Sequence, residues 1–365
     1  MKVILLNNYS MTVQWEQWQR EKYQYPGHHL WGATLLPKYG TSVKILSFEQ
    51  FTLLKKFSQK IKFLGDLDQQ FRLIYTMSEY DIVYSGHHLT TSLLGFLRCI
   101  GVFKKPIVAI AYQSFNKNIW TQLFTKFFLA GHDKLLCLNN EIKKHLKQEF
   151  NVPESKLEVL EWGNDLPFYP VDKNPDIHNI TDSAQYIFST GVTYRDYETL
   201  ITAFKKINYP LKIHSGTTSE VSNTSFIPDI SELTTNINLI QKWLSWKDML
   251  GEYENAYAVA IPLRIRPEKP YNAIGLTSLL EAMSMQKAIV MTRNEFVGID
   301  IEKQGIGIFV DNGDVRGWQQ AISYLLAHPE ETQEMGMRAR HLCEKKYNLE
   351  VFTAKLSRSL KNLVN

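Results

Sequence analysis

From residue 3 onward, short apolar runs alternate with amphipathic stretches of helical length, and the alternation restarts after residue 170. In the first half Val3–Leu6, Val43–Leu46, Asp81–Tyr84, Ile107–Ala111 and Lys134–Leu138 read as strands, with helices at Phe51–Phe63, Leu89–Ile100 and Asn140–Phe150. In the second half Tyr186–Ser189, Leu211–His214, Ala256–Ile261 and Ala288–Thr292 read as strands. Helices fall at Asp196–Ile207, Thr277–Met285 and Val315–Leu326. Strands that are apolar along their whole length belong in sheets covered on both faces, and crossover helices provide that cover. Between the halves, Pro170–Ser183 is rich in Asp, Asn and Pro and reads as a linker. The pattern predicts an α/β chain of two Rossmann-like, doubly wound parallel-sheet domains. Ligands of such sheets lie at the carboxyl ends of strands, so two domains facing each other would hold theirs in the cleft.

Composition narrows the class. A chain of 365 residues exceeds what one ordinary core fills. At 44% hydrophobic and 21% charged it reads as a soluble globular protein. Cys99, Cys137 and Cys343 are odd in number, far apart and without metal-ligand spacing, which fits a reducing cytoplasm. The first apolar run is too short for a signal peptide, and no window approaches a spanning helix. Residues 1–165 carry 20 Lys+Arg against 14 Asp+Glu, and the remainder 21 against 23. A mildly basic first half suits an anionic surface or acceptor. It is too weak to argue for nucleic acid.

The chemistry concentrates around Gly275-Leu276-Thr277-Ser278-Leu279-Leu280-Glu281, where a glycine-led turn opens an apolar helix bearing one acid. Upstream lie Arg264, Arg266 and Lys269. Cations beside a helix N-terminus favour a phosphate, and a nearby carboxylate can accept hydrogen bonds from ribose hydroxyls. Together they read as a nucleotide-sugar pocket. The alternatives are a helix cap or structural ion pair for Glu281 and a solvated loop for the cations.

Four further segments carry a family likeness. Leu135-Leu136-Cys137-Leu138 with the helix after it, and Trp162-Gly163-Asn164-Asp165-Leu166-Pro167-Phe168-Tyr169-Pro170, are two of them. Gly305-Ile306-Gly307-Ile308-Phe309-Val310-Asp311-Asn312-Gly313-Asp314 with Trp318–Leu326, and Glu334-Met335-Gly336-Met337-Arg338-Ala339-Arg340, complete the set. In this order they resemble the retaining glycosyltransferases of family 4 and their relatives, of GT-B architecture. The resemblance implies an N-terminal acceptor domain over 1–165 and a nucleotide-sugar donor domain over 166–347. A helix at about 348–365 would pack back on the first.

The resemblance also assigns roles. Glu281 matches the second glutamate of the family's pair, which contacts the donor ribose, whereas the first falls at Ala273 or Asn272. Gly191 opens the loop that grips the diphosphate, and Arg195 stands where the family has a lysine. Arg264 or Arg266 would supply the second cation, with Gly275, Leu276 and Thr277 at the helix start. Histidines His28, His29, His87 and His88 would approach the donor sugar or acceptor, with His28 and His87 as catalytic candidates. For His28 and His29 no further metal ligands are evident, so no metal is expected. Tryptophan at 162 replaces the family's asparagine, and Asp165 reads as a turn cap.

The function so implied is transfer of a hexose or its derivative from a nucleotide diphosphate sugar, a UDP- or GDP-sugar, to a hydroxyl acceptor with retention, the domains closing about Trp162–Asp165. No cofactor beyond the donor is required. A glycan or lipid-linked acceptor fits surface polysaccharide or glycolipid synthesis. A non-catalytic, glycosyltransferase-like subunit and a nucleotide-sugar epimerase stay open. Three first-half segments, Phe51–Phe63, Phe96–Lys105 and Ile119–Ala130, mix aromatic and basic residues. They either meet the inner face of a membrane or are sheet-packing helices with lysines in water.

Overall fold

The computed structural model describes residues 1–21, 25–112, 119–171, 185–216, 233–266 and 272–364, and of residues 62 and 119–124 the backbone alone. Most of the predicted linker lies outside these residues. The chain forms two compact units. One comprises Met1–Asp165, Glu268–Ala273 and Asn348–Asn365, the other Leu166–Pro267 and Ile274–Tyr347.

The first unit holds a six-stranded sheet of β1 (Lys2–Leu6), β2 (Ser42–Ile45), β3 (Ile82–Ser85), β4 (Ile107–Ala111), β5 (Lys134–Cys137) and β6 (Leu157–Val159). Its order is β2-β1-β3-β4-β5-β6, parallel throughout. Every residue of β3 and β4 is buried, as their unbroken apolar character requires. Ile4, Leu6, Leu73, Val83, Leu94 and Ile107 pack into one core cluster. Each buried aliphatic side chain of this kind contributes about 1.5–3 kcal/mol. The helices are α1 (Thr12–Arg20), α2 (Thr52–Lys60), α3 (Leu67–Tyr75), α4 (Ser92–Cys99), α5 (Ile119–Ala130) and α6 (Asn140–Phe150).

In the second unit lie β7 (Tyr186–Thr190), β8 (Leu211–His214), β9 (Ile237–Ile240), β10 (Ala256–Ile261), β11 (Ala288–Thr292) and β12 (Gly307–Val310). Their order is β12-β11-β10-β7-β8-β9, again parallel. This is the doubly wound Rossmann order, in which the chain reverses direction across the sheet between β7 and β10. Helices α7 (Tyr197–Phe204), α8 (Trp246–Asn255), α9 (Leu276–Ser284), α10 (Val315–Ala327) and α11 (Pro329–Lys345) belong to this unit, and α12 (Leu349–Lys361) to the first. Tyr197, Phe204, Ile213, Val290, Trp318 and Ile322 form the centre of its core.

Several predicted boundaries shift for local reasons. The helix predicted over Phe51–Phe63 stops at Lys60 and is followed by a 3-10 turn at Lys62–Leu64. Gly65 then turns the chain at φ +79°, where a Cβ would overlap the carbonyl of Leu89. The helix predicted from Leu89 begins as a 3-10 turn at His88–Thr91 and becomes α-helical only at Ser92. Asp196 caps its helix rather than joining it, accepting the Thr199 amide at 3.3 Å.

Candidate functional site

In doubly wound sheets the crevice beyond the reversal point takes the ligand. In the second unit that point lies beyond Thr190 of β7 and Ile261 of β10. The two strand ends are tied together there: Arg195 and Leu263 form an antiparallel bridge, and the Asp196 amide donates to the Pro262 carbonyl at 3.2 Å.

Arg195 is almost entirely buried, at 4% exposure. Its Nε donates to the Thr190 carbonyl at 3.1 Å and its Nη1 to the Thr193 carbonyl at 3.2 Å. Its Nη2 reaches the hydroxyl of Ser278, in the first turn of α9, at 2.8 Å. One guanidinium thereby fixes the loop after β7 to the start of α9. Burial lowers its pKa, while Tyr197, Tyr253 and Glu281 nearby favour the cation.

Two glycines make this fit. Gly191 sits at φ +123°, and a Cβ there would overlap the Arg195 guanidinium. Gly275 sits at φ +86° as the N-cap of α9, with the Met291 side chain 2.9 Å from where a Cβ would be. Gly275 places no capping side chain on the first turn of α9. Leu276, Thr277 and Ser278 therefore present an N-terminus of the type that binds phosphate.

Glu281 lies one turn further on, buried, with Oε2 accepting the Tyr253 hydroxyl at 2.9 Å. Burial raises its pKa to about 7, against the opposing pull of the Tyr253 hydrogen bond and the Arg195 charge. The carboxyl group is thus poised to change charge near neutral pH.

The flanking cations are placed differently from one another. Arg264 Nη2 lies 3.3 Å from a Glu198 carboxylate oxygen and 3.6 Å from Asp196 Oδ1, at the start of α7. Arg266 is half-buried, and Lys269 lies outside the described residues.

In the first unit the chain reverses between β1 and β3, where Asn7 crowds Gly86 so closely that a Cβ on the glycine would meet Asn7 Cγ at 2.9 Å. His87 and His88 follow directly and are buried. The His87 ring lies 4.8 Å from Tyr112, and Tyr112 stacks on Trp31 at 6.2 Å. Trp31 stacks in turn on Trp162 at 5.2 Å. The Trp162 indole donates to the His28 carbonyl at 3.3 Å, and Asp165 Oδ2 accepts the Gly27 amide at 2.8 Å. Trp162 is thus a central piece of an aromatic cluster that gathers His28, His29 and His87. Burial pushes His29 and His87 down to about 4 and His28 and His88 well below their ordinary value. All four are neutral imidazoles at neutral pH.

No protein-family model matches the chain, and no curated protein matches it in sequence. Solved structures do match in shape. Sucrose-phosphate synthase from Thermosynechococcus elongatus is similar over 100% of this chain and 99% of its own, at TM-score 0.71 and 13% identity. Anabaena HepE, solved with UDP-glucose, is similar over 100% of both chains at TM-score 0.68 and 12% identity. The fold is GT-B. A UDP-N-acetylglucosamine 2-epimerase described as putative, from Listeria monocytogenes, is also similar, over 99% of this chain and 95% of its own, at TM-score 0.57 and 13% identity. At such identities the likeness establishes the GT-B fold alone.

Three residues of this GT-B chain's second unit escaped the sequence reading. Ser278 and Tyr197 were visible only as parts of helices, and Tyr253 lies on α8, which was not predicted. Tyr197 donates its hydroxyl to the Gly191 carbonyl at 2.6 Å and so braces the loop from below. No local motif marks Ser278 or Tyr253, whose partners Arg195 and Glu281 lie 83 and 28 residues away.

Proposed function

We propose that this chain is a retaining glycosyltransferase that moves a sugar from a nucleoside diphosphate sugar to a hydroxyl of a glycan or lipid-linked acceptor. The observation that carries this reading is the Arg195–Ser278 contact, which sets a glycine-capped helix N-terminus at the reversal point of the second sheet. A nucleoside diphosphate there would meet the amides of Leu276, Thr277 and Ser278 and the buried charge of Arg195, with Gly191 and Gly275 leaving the backbone accessible. Arg264, Arg266 or Lys269 would add a second cation. Glu281, as a carboxylate, would accept the ribose hydroxyls.

Catalysis on this reading is electrostatic. The bond between the anomeric carbon and the diphosphate oxygen breaks as the acceptor oxygen bonds to the same face of that carbon. The acceptor's proton passes to the departing diphosphate. Amides and guanidinium hold the developing negative charge, and fixed dipoles and charges aimed at such a charge do more for the rate of many enzymes than any other effect. His28 and His87, neutral at the pH of the reaction, would orient sugar hydroxyls. The likeness to HepE with bound UDP-glucose supports a uridine donor over a guanosine one. Surface polysaccharide or glycolipid synthesis in the cytoplasm, at the inner membrane face, fits such an acceptor.

Thermal shift with UDP, GDP, ADP and their sugars, on the wild type and Glu281→Ala, tests the reading. Stabilisation by one nucleotide, lost in the variant, is expected; at 100 times the dissociation constant it amounts to about 2.7 kcal/mol. No stabilisation by any nucleotide would favour a non-catalytic subunit. The likeness to the Listeria protein supports a second reading as an epimerase. Conversion of UDP-N-acetylglucosamine to an isomer with no acceptor present would establish it.

A further inference from the structure

The carboxyl edge of the first sheet carries side chains that are fixed in place yet keep polar groups unused. Tyr9 lies just beyond β1, His87 just beyond β3 and Tyr112 directly after β4, and these three strands are neighbours in the sheet. Tyr9 is 40% exposed, but its ring is held. Its hydroxyl accepts the Trp31 indole N–H at 2.8 Å and donates to the His29 carbonyl at 3.1 Å. Trp31 stacks on Tyr112, and the exposed Asn8 donates its side-chain amide to the Tyr112 hydroxyl at 3.4 Å. An exposed aromatic surface anchored through a buried indole is preorganised, so a ligand that lies on it loses little freedom in ordering it.

His87 supplies the unused polar groups. It is 5% exposed, and its carbonyl accepts the Ser85 hydroxyl at 2.7 Å. Neither of its ring nitrogens has a hydrogen-bond partner among the described residues. A buried polar atom left unbonded is costly, and a ligand that bonds to it removes that cost. As a neutral imidazole it offers one donor and one acceptor. No charge accompanies these groups: among the described residues no Lys, Arg, Asp or Glu acts on Tyr9, His87 or Tyr112. The basic balance of residues 1–165 predicts an anionic acceptor, yet the described side chains of this edge provide no cation to meet one.

We infer that this edge binds an uncharged sugar ring, the C–H face of a pyranose lying on Tyr9 and its hydroxyls meeting His87 and Asn8. A pyranose has an apolar face and a rim of hydroxyls, each of which both donates and accepts. The face gains dispersion and burial against an aromatic ring, and the rim satisfies neutral donors and acceptors. A phosphate or carboxylate would give up its hydration there with no opposite charge to replace it. Calling this sugar the acceptor rests on the transferase reading. On that reading the residue that receives the transferred sugar is itself a neutral sugar, and neither a lipid phosphate nor a uronate.

Saturation-transfer NMR on the full chain, without nucleotide, tests it. The probes are the methyl pyranosides of glucose, galactose, mannose and N-acetylglucosamine, with methyl glucuronide and glucose 6-phosphate as charged counterparts. At least one neutral glycoside should take up saturation, most strongly at its ring C–H protons, and bind about tenfold or more tightly than either anion. Tyr9→Ala should weaken it about fivefold through the lost ring face, and His87→Leu about fivefold through the lost hydrogen bonds. His87→Gln, which keeps a neutral donor and acceptor, should stay within about twofold of the wild type. Thermal unfolding close to that of the wild type confirms that each variant is folded. An anion bound as tightly as the neutral glycosides, no neutral glycoside bound, or wild-type binding in both Tyr9→Ala and His87→Leu would overturn the proposal. Glycoside binding by a protein that no nucleotide stabilises would count against the transferase reading and leave the sugar site standing.

Discussion

The hydroxyl of Tyr253 donates to Glu281 at 2.9 Å, joining α8 to α9 through a carboxyl group that burial holds at a pKa of about 7. An acid whose folded pKa exceeds its unfolded value binds more protons when folded. Its contribution is therefore greatest below the unfolded pKa and declines as pH rises through the folded one. Between about pH 4.5 and 7 the wild type should lose stability relative to Glu281→Gln, by on the order of 3 kcal/mol in total. Chemical denaturation of both proteins across that range measures it. Parallel stability curves would rule out the shift.

Removal of the Tyr253 hydroxyl should act in two ways. Tyr253→Phe leaves the buried Glu281 oxygen short of a donor, a loss of about 1–3 kcal/mol at neutral pH. It also removes an interaction that favours the carboxylate, so the pH midpoint seen with Glu281 should move upward. If nucleotide binding needs the ionised form, its pH profile should move by the same amount. Isothermal titration at several pH values would detect both; an unmoved profile would separate Glu281 from binding.

Gly191 and Arg195 should be energetically coupled. Gly191→Ala puts a methyl where the guanidinium lies and forces a left-handed φ on a residue with a side chain, costing about 2 kcal/mol or more. In an Arg195→Ala background the steric part disappears and the backbone part stays. The double-mutant cycle should show a coupling of about 1 kcal/mol or more. Strict additivity would mean that the two do not share that space.

Trp162→Asn should destabilise the first unit. It removes the stack on Trp31 and the donor to the His28 carbonyl, a loss of about 3 kcal/mol by comparison with other buried tryptophans. Urea unfolding followed by fluorescence would measure it. A change below about 0.5 kcal/mol would show the cluster to be dispensable.

What could be read from the sequence was what the local pattern determines. β8, β10, β11 and α6 fall at the predicted residues, since apolar runs and caps such as Asn139, which accepts the Ile142 amide at 2.9 Å, are written in adjacent positions. The edge strands β6 and β9 were missed because Leu157-Glu158-Val159 and Ile237-Asn238-Leu239-Ile240 are short and interrupted by polar residues. Strand order depends on pairings between distant segments, which no window contains. The same holds at the site: the helix start at Gly275 and the acid at Glu281 were visible, but the burial of Arg195 against Ser278 was not. Arg264 reads as a free cation until Glu198 and Asp196 are seen beside it.

The first unit is discontinuous. Asn164 pairs with Asn348, and the Leu349 amide donates to the Asn164 carbonyl at 2.8 Å. Lys355 meets Glu161 at 2.7 Å across 194 positions, and Phe352, Leu356 and Leu360 are wholly buried. A ribosome that has finished residue 165 has therefore released a unit whose last helix is still untranslated. The unit made first must wait for the whole of the second before it can close, and a nonsense codon near residue 348 should unravel the front of the protein rather than its back.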